Sequence, residues 1–192
     1  MNDSIRFEDK AGCSMVRPRG SHDQLNPRGR FHVEHWRDGK KIGDYELLNT
    51  VTNEGKNALL NVQFNGATAI GTWYIALVDG SGTPVLAATD IYAHISNGNG
   101  WNENALYSNG TRPAWGPGAS SAQSVTNASP AVFNMNGSGS VYGMALVGGG
   151  SAPSTINDHA GGGVLWAAAP FQSGVVTVAN GDQLKVTYTL SC

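Results

Sequence analysis

At 192 residues the chain can bury the core of one domain with room for an appendage, but not two ordinary domains. Apolar residues make up 40 % and charged residues only 14 %, with 26 glycines, which suits short strands joined by tight turns and argues against long helices and against disorder. The net charge of −2 leaves no general basic field for nucleic acid, and no apolar run approaches the roughly 18 residues that a membrane span needs.

Residues 1–30 lack apolar periodicity and carry Gly12, Pro18, Gly20, Pro27 and Gly29 among scattered arginines. They are expected to form an extended N-terminal arm without its own core, either a loose tail or a segment that orders only on a partner. Arg17, Arg19, Arg28 and Arg30 are the candidates for that contact, because a guanidinium pairs with carboxylates in two parallel hydrogen bonds. Residues 1–46 hold 9 of the 12 Lys and Arg and 8 of the 14 Asp and Glu. The local excess of one positive charge is too small to indicate nucleic acid. The start, MNDSIRFEDK, is polar and acidic where a secretory leader is apolar, so a protein made in the cytoplasm is expected. Cys13 and Cys192 are the only cysteines, and such a sparse pair reads as free thiols.

From Phe31 the pattern changes, and residues 31–192 are expected to be one β-sandwich domain. Phe31, Val33 and His35 alternate with His32, Glu34 and Trp36, and Asp38-Gly39 then predicts a hairpin turn into Lys41–Tyr45. VTNEGKNALLNVQF (51–64) predicts a short helix. Thr52 or Asn53 is its cap, Glu54 suits its positive end, and Leu59 and Val62 share a face flanked by Leu60 and Phe64. Its Gly-Lys pair is no phosphate loop, since one glycine and a following Asn57 do not make the required cradle.

TWYIALV (72–78) predicts a strand, and residues 80–120 read as loop. Ala131–Met135 and Ser140–Val147 are expected to form a hairpin about Asn136-Gly137-Ser138-Gly139. Gly163–Ala169 is a further strand. Val175–Ala179 and Gln183–Leu190 are expected to pair about Asn180-Gly181, with Leu184, Val186, Tyr188 and Leu190 facing inward. The sum is seven to nine strands and one helix. The fold class is mainly β: an antiparallel sandwich, jelly-roll-like or immunoglobulin-like, with one short helix and the extended arm.

Little in the chain points to catalysis. Gly137-Ser138-Gly139-Ser140 is a turn and not a nucleophile elbow. His32 and His35, three apart on a strand, point to opposite faces and cannot easily share a metal ion. Asp79 and Asp182 read as ordinary turn residues. No catalytic residue, cofactor or metal is therefore expected. Trp101 and Trp115, in the loop-rich middle, either plug one end of the sandwich or form an aromatic contact patch.

The order NTVTNEGKNALLNVQF, TWYIALVDG, NGTRPAWGPG, SVTNASPAVFNM, SVYGMALVGG, GGGVLWAAAPF, VANGDQLKVTYTLS resembles a family of tailed-bacteriophage head decoration, or cement, proteins. The resemblance covers roughly residues 47–191. It implies a β-sandwich that forms a small homo-oligomer, dimer or trimer, on the capsid exterior and clamps neighbouring major capsid proteins. It carries no catalytic residue and implies no membrane or nucleic-acid partner. A body with only 9 charged residues over positions 47–192 fits such packing. The alternative reading is a receptor- or glycan-binding module of a phage tail or fibre, resting on Trp101 and Trp115.

Overall fold

Alternating apolar residues produce the first hairpin as the sequence predicts. In this computed structural model, which describes residues 26–82, 84–97 and 101–192, strand β1 spans Arg28–Arg37 and β2 spans Lys40–Val51. Phe31, Val33 and His35 are buried while their neighbours face outward. Asp38 and Gly39 turn the chain with φ of 48° and 73°, the left-handed pair that a two-residue hairpin requires. β1 begins three residues before the expected domain start, so Arg28 and Arg30 lie in the sheet. Arg17 and Arg19 lie outside the described residues.

Helix α1 spans Asn53–Phe64 and is capped by Thr52, whose hydroxyl accepts the Gly55 amide at 2.9 Å. Gly55 lies against β8 (Gly163–Pro170): a Cβ there would come within 2.8 Å of the Trp166 carbonyl. Gly55→Ala should therefore destabilise the protein by about 1–3 kcal/mol in a urea melt, through overpacking, although alanine is the better helix former. An equal or higher stability would show that the helix lifts away without loss. Leu59 and Val62 face inward, but Leu60 and Phe64 are exposed, Phe64 at 81 %. The flanking positions are thus on the solvent side of a helix held mainly through its first turn.

The remaining strands are β3 (Trp73–Asp79), β4 (Ala114–Trp115), β5 (Ser124–Thr126), β6 (Ala131–Asn134), β7 (Gly139–Gly149), β9 (Val176–Val178) and β10 (Gln183–Ser191), with a 3-10 turn at Tyr92–His94. They form one antiparallel ten-stranded sheet curled into a half-barrel, in the order β4-β3-β7-β8-β2-β1-β10-β5, with β6 on β10 and β9 on β7. β2 joins the two halves, pairing with β1 along its length and with β8 at Thr50 and Val51. One core lies between the halves: Phe31, Leu47, Val186 and Tyr188 from one meet Ile75, Leu77, Met144 and Leu146 from the other. The outer face of the β3-β7-β8 half is buried too, beneath Tyr92, Ile95 and Trp101. Burial on both faces explains why IALV, MALV and LWAAA read as continuous apolar runs.

Two expected hairpins are absent. β6 pairs with β10, and β7 pairs with β3, β8 and β9, so the turn at 136–138 carries the chain between halves. Likewise β9 pairs with β7 while β10 pairs with β1, β5 and β6. The turn at Asn180-Gly181 does form, with the Asp182 amide donating to the Ala179 carbonyl at 3.1 Å. The strands on either side of it belong to opposite halves. A turn signal specifies a reversal of direction, not which strand receives the chain.

Candidate functional site

Three polar centres hold the fold, two built on buried side chains and one on a half-buried glutamate. The first joins the 101–117 loop to the 150–163 loop. Arg112 is fully buried, and its Nε and Nη2 donate to the Glu103 carboxylate at 2.9 and 2.7 Å. Nη1 donates to the Tyr92 hydroxyl at 3.1 Å and the Pro153 carbonyl at 2.9 Å, and Nη2 also reaches the Asp158 carbonyl at 3.0 Å. All five guanidinium N–H groups can thus be satisfied. Glu103 also accepts the Asn157 amide at 2.6 Å, and the Tyr92 hydroxyl donates to Asp158 at 2.5 Å. Burial and the Asp158 carboxylate push the Tyr92 hydroxyl up to about 12.

The second centre is Asp182, at the start of β10. Its carboxylate accepts Arg37 Nε and Nη2 at 2.7 and 2.8 Å, His35 Nε2 at 2.7 Å and the Ala179 amide at 2.8 Å. The Arg37 guanidinium, helped by the Ala179 amide and His35, holds the carboxyl well below the usual aspartate range against the opposing effect of burial. The third is Glu54, in the first turn of α1, which accepts the amides of Tyr92 at 2.9 Å and Leu165 at 2.6 Å. Each centre spends its charge on pinning one piece of chain to another.

The sequence-predicted contact residues among the described ones divide between surface and interior, and Arg17 and Arg19 lie outside the described residues. Arg28 and Arg30 are exposed at the start of β1, where Arg30 meets Glu46 at 3.3 Å. Trp101 and Trp115 are 3 % and 5 % exposed. The Trp115 indole donates to the Tyr188 carbonyl at 3.1 Å inside the core, and Trp101 sits in the layer covering β3, β7 and β8. Both rings are buried, Trp115 in the core between the halves and Trp101 in the outer layer, so neither belongs to an exposed aromatic contact patch. His32 faces out, against Asp44 at 2.6 Å, while His35 faces in. Among the described residues no three potential metal ligands converge, and no helix is long and apolar enough to cross a membrane. Cys192 is exposed, and Cys13 lies outside the described residues.

No protein-family model matches this chain, and no curated protein and no solved structure matches it.

What remains as a contact surface is the outer face of β1, β2 and β10. It carries Arg28, Arg30, His32, Glu34, Lys41, Asp44, Glu46 and Lys185. Pairs cross-link it: Lys41 with Asp44 at 2.6 Å and Glu34 at 3.3 Å, and Lys185 over the Trp36 ring at 4.2 Å. The rest of the surface carries few charges, with only 9 charged residues over positions 47–192. A cleft of about 670 Å³, between α1, residues 67–72 and the β7–β8 loop, is lined by Asn61, Val62, Ile70 and Tyr74 with no carboxylate, imidazole or amine. The sequence reading missed Arg112, Glu103 and Asp182 as structural centres. Only the inward alternation of His35 hinted that a buried polar partner must exist.

Proposed function

We propose that this chain is a virion structural protein that binds the outer surface of a tailed-phage head and reinforces contacts between major capsid proteins. The observation that carries the proposal is the order of segments over residues 47–191. Two features support it. The buried ionic groups hold loops to the sandwich, as suits a part that bears load. The surface offers one face of mixed charge and a cleft with an uncharged lining, so a lattice can be gripped through polar contacts while neutral surface packs. Many weak contacts repeated over a lattice become collectively tight. On this reading the protein is made in the host cytoplasm, acts without catalysis or cofactor, and sits on the capsid exterior as a homo-oligomer.

The test is to mix purified protein with undecorated heads and measure occupancy and survival on heating. Saturable binding at micromolar concentration and a raised inactivation temperature are expected, and no binding at that concentration sinks the proposal. Arg28→Glu with Arg30→Glu should weaken binding about tenfold and flatten its salt dependence, as rim charges do. Unchanged binding would place the contact elsewhere. The receptor- or glycan-binding alternative rested on Trp101 and Trp115, and with both rings buried no specific observation favours it.

A further inference from the structure

β2 has an open edge. After Thr50 and Val51 pair with β8, the Thr52 amide continues that side of the strand, donating to the Trp166 carbonyl at 2.9 Å. Backbone groups along a strand point to alternate sides, so the N–H and C=O of Leu48, Glu46 and Asp44 face the same side as those of Thr50 and Thr52. Among the described residues none of these groups has a hydrogen-bond partner on that side. Their side chains lie on the outer face and are accessible: Leu48 is 67 % exposed, and the Asp44 and Glu46 side chains 48 % and 56 %. A long uncovered edge of this kind is a template for an added strand.

A second β2 is a poor occupant. In two-fold registers centred on Asp44, Tyr45 or Glu46, carboxylate would stand opposite carboxylate, which is destabilising. Arg30, His32 and Lys41 already meet these carboxylates across the outer face, and an added strand complements the edge further with an apolar residue opposite Leu48 and cations at the two alternate positions. Residues 15–19, outside the described residues, read Met-Val-Arg-Pro-Arg. Set antiparallel to β2, Met15 falls opposite Leu48, Arg17 opposite Glu46 and Arg19 opposite Asp44. The same register points the Pro18 nitrogen away from β2, the orientation in which an edge strand tolerates proline.

We infer that Met15–Arg19 of a neighbouring copy adds as a strand to the open edge of β2. The donor is another copy because this segment would run parallel to β1 of its own chain. Residues 20–27 are too few for a parallel crossover, which takes about a dozen or more. The inference does not depend on head binding, since self-association is measured without capsids.

Hydrogen exchange at the amides of Asp44, Glu46 and Leu48, together with sedimentation, tests it on the full chain. Across the concentration range where the protein self-associates, these amides should slow at least about tenfold. Arg17→Glu with Arg19→Glu should abolish both the slowing and the association. Mixing that variant with Asp44→Arg/Glu46→Arg should restore both. Equal exchange in wild type and the Arg17/Arg19 variant overturns the inference, as does slowing that is independent of concentration. Should the β2 variant fail to fold, the Arg17/Arg19 comparison decides by itself, because those substitutions leave β2 unchanged.

Discussion

Arg112→Ala should lower the unfolding free energy by about 3–5 kcal/mol, the range for removing one partner of a buried ion pair. That is a large share of the 5–15 kcal/mol that typically holds a domain together. The cause is what stays behind. Glu103 would be left as a buried carboxylate with only the Asn157 amide to answer it, and the Pro153 and Asp158 carbonyls would lose their donor. Arg112→Lys keeps the charge but not the planar fork, so it should recover only part of the loss. Urea melts of the three proteins measure this directly. A loss under about 1 kcal/mol for Arg112→Ala would mean that water enters and satisfies the orphaned groups.

Asp182→Asn should cost about 1–3 kcal/mol at pH 7, because it breaks a charge-assisted bidentate bond from the half-exposed Arg37 to a buried carboxylate. The dependence on pH has a definite sign. The folded state holds this carboxyl below its unfolded value, chiefly through Arg37. Its contribution is therefore present in full above the unfolded aspartate value of about 4 and is lost as pH falls from there toward the lower folded value. Wild type should then lose stability in acid more steeply than the variant, and the gap between their melts should narrow below pH about 4. A gap of constant size from pH 7 to pH 3 would show that the Asp182 charge does not contribute.

Much of the fold was legible because strands with one wet face announce themselves. The alternation in Phe31–His35 and Leu184–Tyr188, the Asp38-Gly39 turn and the Thr52 cap are local signals, and the structure follows each. Sheet membership was not local. The turns after β6 and after β9 each cross between halves, and a sequence pattern carries no mark of which neighbour a strand will meet. The buried centres were hidden for a related reason. Glu103 and Arg112 are nine residues apart in a loop, and only the fold brings Tyr92 and the 153–158 segment around them. Asp182 was read as a turn residue, which it is, since it accepts the Ala179 amide. The rest of its work is with β1, on a partner 147 residues away. Trp101 and Trp115 misled because a loop address does not imply exposure when the loop itself forms a layer.

The place of β10 in the sheet bears on how the protein is made. It lies between β1 on one side and β5 and β6 on the other, and its register with β1 matches Arg28 to Ser191. The β1–β2 hairpin can form early, but the other edge of β1 stays unpaired until residue 191 has left the ribosome. Folding is then a late, concerted event with many distant pairings, which topology makes slow. During the wait the first hairpin keeps its inner face open to water, and removing the last residues of β10 should leave β1 without the strand that closes its half of the sandwich.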